Sequence, residues 1–185
     1  MIHLNGLRLW RNYRTTHVLA ITLLLSSLLS PPAQAAGSNY YSIDSCTVTT
    51  DNITFGTYNP TNAAATSNNA GRITLACSTT SKSRSSDQDT GTVTLSAGKG
   101  PYTQRVLKNA ANYSLNYNIY TDSAYTLVWG DGTGSTDTNT WAATSDGGSS
   151  GGATKTFTLY GRIPALQYNV VPGSYTDSIT VTLSW

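Results

Sequence analysis

The sequence has 185 residues with 11 Lys and Arg, nine Asp and no Glu, a formal net charge of +2 and only 11% charged residues. Both histidines, His3 and His17, and three of the basic residues lie at the amino end, so the rest of the chain has eight basic side chains against nine Asp. Those eight (Arg72, Lys82, Arg84, Lys99, Arg105, Lys108, Lys155 and Arg162) are scattered, which excludes a nucleic-acid surface, and the lack of an imidazole removes the usual general base of nucleophilic catalysis.

Residues 1–35 read as a secretory signal peptide: Arg8, Arg11 and Arg14 form a basic region, Val18 to Leu29 an apolar stretch, and Ala33-Gln34-Ala35 a small-residue cleavage site. The apolar stretch is shorter than the roughly 20 residues that span a bilayer, so the mature chain, from Ala36, is expected to have no membrane span. Ala36 to Ser45 is an N-terminal extension in which Asn39, Tyr41 and Ile43 fall on one face of an extended strand. Cys46 and Cys77 are the only cysteines, and an isolated pair in an exported protein predicts a disulfide; two thiols without His make a poor zinc site.

Short runs rich in Thr, Val, Ile, Leu and Tyr predict strands at Cys46 to Tyr58, Arg72 to Cys77, Gly91 to Ala97, Tyr113 to Thr121, Thr126 to Trp129, Thr156 to Pro164 and Ser174 to Trp185. Turn clusters such as Asn68-Asn69-Ala70-Gly71 and Val171-Pro172-Gly173 separate them, and no stretch has a helical apolar period. The expected fold is all-β, an immunoglobulin-like β-sandwich over residues 46–185. Ser78 to Asp89 and Gly130 to Thr154 are expected as polar loops, the second with one aromatic, Trp141, as a candidate surface-contact residue.

Catalytic patterns are thin. Gly148-Ser149-Ser150-Gly151-Gly152 has the letters of a hydrolase elbow but neither the strand-to-helix setting nor a base. Asp87 with Asp89, and Asp131 with Asp137, sit in turn-forming sequence, where Asp is common without paired-carboxylate chemistry. The oxygens of Asp131 to Asp137 suggest calcium, without the acid spacing or Glu of an EF-hand loop. No catalytic, cofactor-binding or metal residue is assigned, and the chain is not expected to be an enzyme.

The last strand is the most regular. Tyr175, Ile179, Val181, Leu183 and Trp185 alternate with Thr and Ser, and Asp177 is the one polar residue on the apolar face. Such a strand needs a core beneath it and a neighbour for its backbone, and no later strand follows in this sequence. Something else must therefore cover the edge that carries Ile179, Val181, Leu183 and Trp185.

Several strings occur in order: Cys46-Thr47-Val48, Phe55-Gly56-Thr57-Tyr58, Ile73-Thr74-Leu75-Ala76-Cys77, Leu95-Ser96-Ala97-Gly98, Leu115-Asn116-Tyr117-Asn118-Ile119-Tyr120, Val128-Trp129-Gly130-Asp131-Gly132, Tyr160-Gly161-Arg162-Ile163-Pro164 and Gly173-Ser174-Tyr175-Thr176-Asp177. Together they resemble the spore coat protein U domain family, which includes subunits of archaic chaperone/usher pili. The resemblance implies a structural subunit of a surface fibre, built as an incomplete immunoglobulin-like sandwich that lacks its last strand, with Ile179, Val181, Leu183 and Trp185 as the candidate acceptor edge. It also implies export to the periplasm and then to the cell surface, with a role in adhesion or biofilm formation. Its implied partners are a periplasmic chaperone, an outer-membrane usher and neighbouring pilus subunits, which complement its open edge with a strand. Tyr41 and Ile43 are then the candidate donor strand. The alternatives are a carbohydrate- or surface-binding adhesin module that contacts its target through Trp141, and a secreted coat protein.

Overall fold

A computed structural model describes residues 1–10, 40–82, 89–143 and 152–185. Nine strands are defined among them: β1 (Ile2–Trp10), β2 (Tyr40–Asp51), β3 (Thr66–Lys82), β4 (Thr90–Leu95), β5 (Arg105–Lys108), β6 (Ser114–Tyr120), β7 (Asn139–Ala142), β8 (Gly152–Ile163) and β9 (Asp177–Ser184). They form a four-stranded sheet in the order β1-β9-β4-β7 and a five-stranded sheet in the order β2-β3-β8-β6-β5. All ladders are antiparallel except that of β1 with β9. The architecture is an all-β, immunoglobulin-like sandwich.

The period-two pattern decides which face is buried. On β9 every second residue from Asp177 to Leu183 is buried, and on β4 the same holds for Gly91, Val93 and Leu95. These residues meet Ile73, Leu75, Leu115, Tyr117, Ile119, Phe157 and Leu159 of the facing sheet in one core. Each such Leu or Ile contributes roughly 1.5–3 kcal/mol of burial. Trp129, fully buried, lies edge-on to Phe157 and donates its indole N–H to the Val93 carbonyl at 3.0 Å, tying the two sheets together.

Several strands differ from expectation. β2 begins at Tyr40, six residues before Cys46, because β3 runs on to Lys82 and gives the extension a partner. β5 and β7 are four residues each, too short for alternation to stand out. Thr126 to Trp129 contributes only isolated bridges, Tyr120 to Val128 and Trp129 to Asp137. Cys46 and Cys77 face each other in register across β2 and β3 and form a disulfide. The apolar leader stretch, its cleavage site and Ser149 lie outside the described residues.

Candidate strand-acceptor edge

β9 has two different neighbours. On one side β4 pairs antiparallel with it from Val181 to Ser184, and Ser96 continues the contact, donating its N–H to the Thr180 carbonyl and accepting the Thr180 N–H on its hydroxyl, both at 2.9 Å. On the other side the domain from Tyr40 onward supplies no strand among the described residues. That side is covered by β1, the amino-terminal segment, which runs parallel to β9 from Ile2 opposite Asp177 to Trp10 opposite Ser184.

The register sets apolar residues of β1 opposite the core-facing positions of β9. Leu4, Leu7 and Leu9 pair with Ile179, Val181 and Leu183, the three β9 residues that face the core, and a bulge between Leu4 and Leu7 keeps the apolar positions in step. At the start of the strand Ile2 is fully buried, and its N–H donates to the Ile53 carbonyl at 3.0 Å, beyond the end of β2. The terminal amine donates to the Tyr175 carbonyl at 2.8 Å, and its burial lowers its pKa. A cavity of about 530 Å³ opens beside Met1, lined by Phe55, Tyr58, Leu107, Leu115, Ile163 and Tyr175 among others.

Asp177, the polar interruption on the apolar face, is fully buried and hydrogen-bonded. Its carboxylate accepts from the Tyr117 hydroxyl at 2.7 Å and from the N–H groups of Ser178 and Lys99 at 2.8 and 3.2 Å. Burial, then the Asp177 charge and hydrogen bond, push the Tyr117 pKa far upward, so the phenol stays a donor. Gly98 makes the approach possible: its φ is +69° and a Cβ there would stand 2.2 Å from the carboxylate.

Arg105, one of the scattered basic residues of the sequence, is fully buried. It donates to the Ser96 carbonyl (2.9 and 3.2 Å), the Trp129 carbonyl (2.7 Å) and the Asn118 side-chain oxygen (2.7 Å), with the Tyr102 ring 5.2 Å from its guanidinium carbon. Burial lowers its pKa, opposed by the nearby tyrosines and by Asp177 and Asp131. The guanidinium binds the Ser96 and Trp129 carbonyls, and so fixes Ser96, whose N–H and hydroxyl pair with Thr180. The signal was its place on the same face as Leu107, two residues away, in a strand too short to notice.

The other candidate residues are placed as follows. Ile179, Val181 and Leu183 form the inner face of β9, and the partly buried Trp185 donates its indole N–H to the Ile43 carbonyl at 3.1 Å. Tyr41 and Ile43 are buried in β2, opposite Ser81 and Thr79 of the same chain. Trp141 differs from its loop reading: it lies on β7, 7% exposed, with its indole packed over Gly91 of β4, because a four-residue strand inside the polar stretch turns it inward. The Asp131 carboxylate accepts from the Thr133 N–H and hydroxyl, as a turn cap, and Asp137 accepts from the Thr121 hydroxyl and Thr138 N–H. Among the described residues no three His, Cys, Asp or Glu side chains gather to hold a metal ion, and no helix is long and apolar enough to cross a membrane.

Two facing sheets, a cross-strand disulfide and a β9 edge covered by the parallel strand β1 define an immunoglobulin-like domain. The chain belongs to the Spore Coat Protein U domain family, whose domain matches residues 35–182. Among solved structures, the crystal structure of the CsuC-CsuE chaperone-tip adhesion subunit pre-assembly complex from archaic chaperone-usher Csu pili of Acinetobacter baumannii is similar at 19% identity and a TM-score of 0.46. The similarity covers 76% of this chain and 40% of that chain. No curated protein sequence matches.

Proposed function

We propose that the mature chain is a structural subunit of a chaperone/usher surface fibre, complemented at the β9 edge by a strand from another protein. The observation that carries this reading is the β1 register: an extended segment lies on the edge with an apolar residue opposite each of Ile179, Val181 and Leu183. Once the leader is removed, those positions and the backbone of β9 need a substitute, and strand addition supplies hydrogen bonds and alternate pockets together. In this reading a periplasmic chaperone lends the first strand, an outer-membrane usher receives the complex, and a neighbouring subunit supplies the final strand. The subunit passes through the periplasm to the cell surface, where the fibre serves adhesion or biofilm formation. No enzymatic step is part of it. The alternative of surface binding through Trp141 gains no support from an indole held between β7 and β4.

The test uses the 36–185 chain and a peptide of the Ile2–Trp10 sequence added in trans. Alone, the chain is expected to aggregate or to melt at low temperature; the peptide is expected to raise the melting temperature and protect the β9 amides. A peptide with Asp at the positions of Leu4, Leu7 and Leu9 is expected to do neither. A soluble monomer with fully protected β9 amides and no added strand sinks the reading.

A further inference from the structure

We infer that this chain accepts a strand but has none to donate, so that it occupies an end of the assembly. This rests on the acceptor-edge reading above and adds that the complementing strand comes from a different protein, not from a second copy.

The extension that would serve as donor is already a strand of its own sandwich. Tyr40 to Ile43 pair with Thr79 to Lys82 of β3, and Tyr41, Ser42 and Ile43 are buried in succession, so both faces of the segment are covered. It is also tied from a second direction. The Ile43 N–H donates to the Asp89 carboxylate at 3.0 Å, the Asp89 N–H donates to the Tyr41 carbonyl at 3.3 Å, and the Trp185 indole holds the Ile43 carbonyl. Releasing Tyr41 and Ile43 as a donor would strip the β2–β3 ladder, expose two core side chains and leave Asp89 without those contacts.

Length and chemistry close the remaining route. Between the expected cleavage site and Tyr40 lie only Ala36, Gly37, Ser38 and Asn39. Four residues reach about 13 Å, whereas an eight-residue strand such as β9 is about 27 Å long. None of the four offers a side chain the size of the three leucines that pair with Ile179, Val181 and Leu183. The partner is therefore a protein with a longer free extension carrying large apolar residues at alternate positions.

The experiment uses the chain exported and processed by its own leader and purified with its chaperone. It is incubated alone and with the Ile2–Trp10 peptide, and compared with a variant carrying that nine-residue sequence between Ala36 and Gly37. The native chain is expected to bind the peptide one to one, to form no denaturant-resistant multimers, and to keep the Tyr41–Ile43 amides protected throughout; the grafted variant is expected to form ladders. Ladders from the native chain, with loss of protection at Tyr41–Ile43, overturn the inference and leave the acceptor edge standing. Failure of both peptide binding and grafted assembly overturns the acceptor edge and the inference with it. The native measurements decide the matter even if the graft misfolds.

Discussion

Gly98, Tyr117 and Asp177 show how a single polar position is accommodated under an apolar strand. Gly98→Ala introduces a side chain at positive φ against the Asp177 carboxylate, and is expected to lower stability by roughly 2–4 kcal/mol in chemical denaturation. The buried phenol of Tyr117 also sets an alkaline limit. Its folded pKa is raised, so its contribution is complete below the ordinary tyrosine value of about 10 and is lost as pH rises above it, at about 1.4 kcal/mol per pH unit for one group. Tyr102 and Tyr120 are shifted the same way, mainly by burial. Stability is expected to fall steeply above pH 10, and the Tyr117→Phe variant to lose less over that range, as read by denaturant titrations at several pH values; equal slopes count against this account.

At the level of elements, β2 is the strand with the most unusual tie. Trp185→Phe keeps the ring and removes the donor to Ile43, and is expected to speed amide exchange at Tyr41–Ile43 about tenfold with little change in global unfolding. Uniform loss of protection across β2 and β3 would show that the segment does not open independently. The strands β4, β6, β8 and β9 are legible in the sequence because alternation runs for six residues or more. β5 and β7 are not legible, since four residues between turns carry no readable period, and with them went the burial of Arg105 and Trp141. The buried face of β9 is legible in the alternation of Ile179, Val181 and Leu183. What sequence could not supply is the seating of the extension on β3, because Ser78 to Lys82 is polar and becomes strand only through its partner.

For the whole molecule, the position of β1 links the proposed strand exchange to the expected leader: in the proposed reading, cleavage after Ala35 would remove Ile2–Trp10 from β9. Refolded in vitro, the 1–185 chain is expected to melt higher than the 36–185 chain and to exclude the Ile2–Trp10 peptide, because a tethered strand acts at an effective concentration on the order of millimolar. Equal peptide binding by the two chains would show that β1 does not fill the edge in solution. The Cys46–Cys77 bridge has a separate, mechanical meaning. Tension applied just before Tyr40 can peel at most the six residues Tyr40 to Ser45 from β3 before a covalent cross-link takes the load and passes it from the edge strand β2 into its neighbour β3. The amino end is thus a short, bounded tether.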